Sequence, residues 1–170
     1  MAGAASPLLP TRTLAGRNHK IITNTPTVEA TPDYSDGDVI GGKQTLTAIA
    51  REDGGAGAIV WGHVYSLVDI GASIPIRVLL FNANPSASTF TENSALSVHA
   101  NDLAKIIGIL DLSQRLDLGT PVVLYAAQPV NIPFECAAAA DDLYAVAVAG
   151  GTINLGTAAD LTFVFGAEND

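Results

Sequence analysis

The stretch from Ile74 to Leu112 constrains the fold most: two apolar, strand-like segments, Ile74–Phe81 and Ala104–Leu112, flank a polar excursion rich in Asn, Ser and Thr. Successive side chains of a strand point to opposite faces. Ile74, Ile76, Val78 and Leu80 therefore share one face, and Arg77, Leu79 and Phe81 the other. In the second segment Ile106, Gly108, Leu110 and Leu112 line up opposite Lys105, Ile107, Ile109 and Asp111. Both outer faces stay partly apolar, where a solvated antiparallel sheet would be polar. Either a second layer of the chain covers them or a partner does. The excursion opens at Asn84-Pro85, a turn signal, because proline fixes its own φ and biases the residue before it away from helix. Ser94–Ala104 has room for one short helical turn, with Asn101 or Asp102 as its cap. An excursion of this length in a small domain is expected to be a contact surface.

The rest of the chain repeats the alternation. His19–Thr23 reads as a short strand. Gly41-Gly42, ahead of Thr45–Ala50, suggests a bulge or a bend between sheets. Ala58–Asp69 is the longest strand candidate, with Val60, Val64 and Val68 on one side and Ile59, Trp61, His63, Tyr65 and Leu67 on the other. Pro121–Ala127 follows, and then three alternating sets: Ile132/Phe134/Cys136, Tyr144/Val146/Val148 and Leu161/Phe163/Phe165. The tail Ala167–Asp170 is expected to be exposed. Eight to ten short strands, parted by Gly, Pro, Asn and Asp turns, predict an all-β antiparallel β-sandwich, with a jelly roll as the favoured arrangement. Residues 1–30 are expected to form an extended N-terminal arm and residues 31–170 the sandwich domain.

The formal charge of −9 disfavours nucleic acid, and no run of about 18 apolar residues suits a membrane span, so neither partner is expected. Arg12, Arg17 and Lys20 all precede the first acid, Glu29. A basic arm on an acidic body suits an acidic neighbouring surface, and a solvated tail accounts for it equally well. Charged residues make up 15% of the chain, below the ~25% of ordinary domains, and hydrophobic residues 48%. That balance points to surface hidden in an oligomer, although richness in alanine and glycine explains it as readily. Trp61 and Tyr65 are candidate interface anchors or else core residues, and Asn84 and Phe90 complete the candidate interface. Cys136, the only cysteine, reads as a small buried side chain. His19, His63 and His99 are scattered, and Asp141 and Asp142, as strand neighbours, point apart. The acidic turn Asp33–Asp38 lacks the alternating ligands and closing Glu of a calcium loop. No catalytic, metal or cofactor site is expected, and the chain is expected not to be an enzyme. Pro7 and Pro10 interrupt any hydrophobic leader, so synthesis in a reducing cytoplasm is expected.

The ordered motifs GDVIGG, VLLFNANPSASTFTENSAL, DLAKIIGILDL and DLYAVAVAGGTINLGTAADLTFVFG, spanning about residues 36–167, resemble capsid decoration (cement) proteins of tailed bacteriophages with a jelly-roll body. The resemblance implies a virion protein on the capsid surface, assembled in the host cytoplasm. Such a protein would bridge neighbouring major capsid protein subunits as a homo-oligomer, a trimer at threefold positions or a dimer at twofold ones. It brings no catalytic residues. From another class, a tail-associated receptor- or carbohydrate-binding sandwich would use Trp61 and the polar excursion for stacking and hydrogen bonds.

Overall fold

In the computed structural model, which describes residues 18–70, 76–158 and 160–169, the alternating segments become ten antiparallel strands. They are β1 (Asn18–Asn24), β2 (Val39–Leu46), β3 (Ala56–Ser66), β4 (Ile76–Phe81), β5 (Ile106–Leu112), β6 (Gln114–Asp117), β7 (Val123–Ala126), β8 (Ile132–Glu135), β9 (Leu143–Ala149) and β10 (Leu161–Asn169). The first sheet has the order β1-β10-β3-β7-β6, with β8 pairing the other half of β3; the second has the order β2-β9-β4-β5. Strands from the two halves of the chain interleave in both sheets. This is the jelly-roll order, and it makes the chain an antiparallel β-sandwich.

The main core fills the space between the sheets. The first sheet supplies Val64, Phe163, Phe165 and Tyr125, and the second supplies Leu46, Val78, Leu80 and Leu110. On β9 the face turned to this core is the alanine one, Ala145, Ala147 and Ala149 together with Leu143. These small side chains share the core with the phenylalanines of β10, while Val146 and Val148 of β9 point to the outer side.

Two bulges shift the phase of the alternation. Opposite β10, Ile59 pairs with Ala167 but Trp61 with Gly166. Val60 is the extra residue, Ile59 turns into the core, and Trp61 stays outside. On β5, Leu80 pairs with Gly108 but Phe81 with Ile106, so Ile107 reaches the core and Ile106 the outer face. One extra residue flips every following side chain, which no single-strand pattern reveals. The bend expected at Gly41-Gly42 lies where the β2–β9 register shifts, and both glycines have positive φ (72° and 65°). A Cβ on Gly41 would also fall 2.2 Å from Pro26 Cβ.

Two terminal expectations change. Residues 18–24, inside the stretch read as an arm, form edge strand β1, paired with β10 from Asn18↔Asn169 to Asn24↔Phe163. Ile22 packs on the core, and Val28, beyond the strand, is buried in it. Residues 1–17 lie outside the described residues. At the other end β10 runs through Asn169, with Ala167 and Asn169 buried rather than exposed. Asn169 Nδ2 donates to the Ile49 carbonyl at 2.8 Å, which ties the last strand to the turn after β2.

Candidate interaction surface

A sandwich has two outer faces, and this chain treats them differently. The second sheet turns Leu79, Phe81, Val146 and Val148 outward, yet all four are buried. The excursion between β4 and β5, residues 82–105, folds back over them and adds Phe90, Leu96 and Val98. Phe90 lies 5.9 Å from Phe81, ring centre to ring centre. The cover demanded by the apolar outer face is therefore the chain's own loop. Backbone bonds fasten it beside β2: Val39 N–H donates to Ser94 O, Asn93 N–H to Val39 O and Leu96 N–H to Gly37 O, each at 2.9 Å.

A polar knot holds the far end of the loop. The helical turn is a 3-10 helix, Ala100–Lys105, capped by His99, whose Nδ1 accepts from Asn101 N–H at 3.1 Å. Neither Asn101 nor Asp102 is the cap. Asp102 is wholly buried; it accepts from Ser88 Oγ at 2.6 Å and from Lys105 Nζ at 2.7 Å. Burial pushes its carboxyl up, but the bonds from Lys105 and Ser88 outweigh that and hold it below the usual range. Lys105 Nζ also donates to the Asn84 carbonyl at 2.7 Å, and Lys43 Nζ to Asn84 Oδ1 at 2.7 Å.

Among the described residues no such layer covers the first sheet. Registers place its outward side chains in cross-strand rows, because directly paired residues share a face. Trp61, Gly166 and Ile21 form one row. The next runs Gln114–Ala126–His63–Val164–Thr23, and the third Leu116–Leu124–Tyr65–Thr162. None of these residues carries a formal carboxylate, ammonium or guanidinium. Ile21 is 65% exposed, Leu116 56% and Leu67, which follows β3, 47%. Trp61 covers Gly166 so closely that a Cβ there would lie 2.1 Å from its Cε2. Its ring is parallel to that of His63 within 8°, centres 5.4 Å apart. Partial burial among these apolar neighbours lowers the His63 pKa, favouring the neutral ring.

The candidate interface residues thus divide between opposite sides of the sandwich. Trp61 and Tyr65 lie together on the open face of the first sheet. Asn84 and Phe90 belong to the loop over the second, Asn84 exposed and bonded to two lysines, Phe90 half-buried against Phe81. Of the basic set, Lys20 sits half-buried in β1 opposite Ala167, and Arg12 and Arg17 lie outside the described residues. Ile21, Leu116, Leu124 and Val164 escape sequence reading because only pairing between distant strands puts them beside Trp61.

Other chemistry-bearing residues have local roles. The acidic stretch Asp33–Asp38 is a turn in which Ser35 N–H donates to Asp38 Oδ2 at 2.7 Å, and Asp33 Oδ1 accepts from Asn154 Nδ2 at 2.7 Å. Among the described residues no three His, Cys, Asp or Glu side chains converge as metal ligands. Cys136 is buried; burial, then the charges of Asp141 and Asp142, push its thiol up to about 11. The three histidines stand on β1, β3 and the loop.

Fold and surface together define a jelly-roll β-sandwich whose second sheet is covered at its centre by its own loop and whose first sheet is uncovered among the described residues. No family model matches the chain, and neither does any curated protein. Among solved structures it is similar to a chain in the structure of infectious bursal disease virus Gx strain, at 13% identity and a TM-score of 0.22. The match covers 99% of this chain and 45% of the viral one, so this chain spans less than half of that protein's length.

Proposed function

We propose that this protein is a virion structural protein that decorates the capsid exterior and stabilises the shell by bridging neighbouring major capsid protein subunits, without catalysis. The observation that carries this reading is how the basic segment joins the acidic body. Arg12 and Arg17 precede β1, and the rest of the chain, Lys20 of β1 included, sets six cations against seventeen acids, a body of −11. Asn18, the exposed first residue of edge strand β1, lies at the rim of the sandwich. A basic tether on a rigid acidic body suits a neighbour's acidic surface, and many equivalent weak attachments on a shell add through multivalency. The sequence motifs that resemble decoration proteins point the same way.

The test is a reconstruction of the mature particle together with a truncation. The chain is expected on the outer shell, and deletion of residues 1–17 to weaken attachment while leaving the body folded. The cut falls at 17 because removal through residue 30 would also take β1 and the buried Val28. Location on the tail, absence from particles, or undiminished binding by the truncated chain would reject the reading. The parallel, half-exposed Trp61 and His63 rings favour a second reading, a carbohydrate-binding sandwich, since aromatic faces stack on sugar rings. Glycan-array binding lost on Trp61→Ala, without capsid attachment, would select it.

A further inference from the structure

We infer that the open outer face of the first sheet is a self-association surface, on which a second copy of this chain packs face to face across a two-fold axis. This goes beyond the capsid role and does not depend on it.

Charge argues for a copy as the occupant. A chain of −9 repels its own copies over most of its surface, but the three rows around His63 carry no formal charge, and the one carboxylate of the adjoining row, Glu168, faces His19 at 3.9 Å. Apolar exposure argues likewise: Ile21, Leu67 and Leu116 are three of the six large hydrophobics exposed among the described residues. Area sets the strength. Five strands about 4.8 Å apart and about six residues of strand length give a face of roughly 24 by 20 Å. A pair would then bury roughly 1,000 Å², at the lower bound of specific interfaces, so a reversible dimer in the micromolar range is expected. Symmetry selects the two-fold. A single flat face pairs with itself isologously, whereas a closed ring needs a second, different surface, and the apolar centre of the opposite broad side is under its own loop. Two such sheets stack about 10 Å apart with strand directions within about 30°.

Sedimentation of the full chain from 1 to 500 µM in near-neutral buffer, at 0.15 and 1 M NaCl, tests this. A monomer–dimer equilibrium is expected that high salt does not weaken. Ile21→Lys and Leu116→Glu replace well-exposed side chains, so folding should survive, as far-UV circular dichroism would verify. Each should weaken the dimer at least tenfold, and the double variant should be monomeric. Ile109→Lys, equally exposed on the other sheet, should change nothing. A wild-type monomer at 500 µM, a trimer, or a dimer insensitive to Ile21→Lys and Leu116→Glu would overturn the inference. So would dimerisation that appears only when residues 1–17 are removed, since that segment would then be the occupant. Capsid attachment by a strictly monomeric chain would refute the dimer and leave the decoration role standing.

Discussion

Replacing Phe90 by alanine should release the loop from the second sheet without opening the main core. A fully buried phenylalanine removes about 200 Å² from water, and Phe90 is half-buried, so truncation re-exposes about 100 Å². At about 25 cal/mol per Å² this is ~2.5 kcal/mol, with the ring contact to Phe81 inside that sum. For a domain of this size such a loss corresponds to a fall in Tm of about 5–10 °C. Amide hydrogen exchange gives the local readout. Asn93 and Leu96, whose N–H groups bond to Val39 and Gly37, should exchange faster, while Val78 and Leu80 in the main core keep their protection. If Tm moves by less than about 1 °C and the Asn93 and Leu96 amides stay protected, the loop is not held by its apolar underside.

Three further outcomes are expected. The Asp102 carboxyl titrates lower in the folded chain than in the unfolded one, so its contribution is present above about pH 4 and lost as pH falls through the folded value; loop amides should lose protection in acid, and Asp102→Asn should flatten that limb. Tyr34 is fully buried, with its hydroxyl bonded to Glu92 and accepting from Glu29 N–H at 2.9 Å. Tyr34→Phe keeps the ring and should cost about 1–3 kcal/mol in denaturant unfolding by removing the hydroxyl's bond to the Glu92 carboxylate, Glu29 N–H keeping Glu92 Oε1 as acceptor at 3.1 Å; a loss under about 0.5 kcal/mol would dismiss the bond as structural. Cys136, with its thiol pushed up to about 11, should resist a thiol reagent at pH 8 and yield one equivalent only after unfolding, whereas immediate labelling would contradict its burial.

Strand existence was legible because period-two alternation is local. Ala56–Ser66, Leu143–Ala149 and the first part of Leu161–Asn169 overlap the segments the pattern marks, and the glycine pair marks its bend. The orientation of a strand in a two-layer fold was not always legible, because its phase can change at a bulge. Val60 and Ile107 are ordinary apolar residues that become bulges only through their partners' register. On β9 the large side chains look like the core face, yet the alanines hold it, and Val146 and Val148 pack under the loop instead. The excursion was recognisable as a special element. Its sealing of the adjacent sheet is a tertiary fact, as is the cap from His99, a residue type that propensity does not favour there. The open face around Trp61 combines both situations: its aromatic residues stand in one strand's sequence, and its aliphatic ones come from strands made far apart.

The pairing of β1 with β10 constrains how the molecule is made. Thr25 and Thr162, just beyond and within this pair, share a hydroxyl contact across 137 residues of chain. On the ribosome β1 emerges long before β10, the strand it pairs with, is synthesised, so its pairing must wait while the eight strands between them assemble. Closure by non-local pairs is slow and leaves sticky intermediates. Yield in a heterologous host should therefore depend on translation speed and holdase chaperones more than on the stability of the finished sandwich.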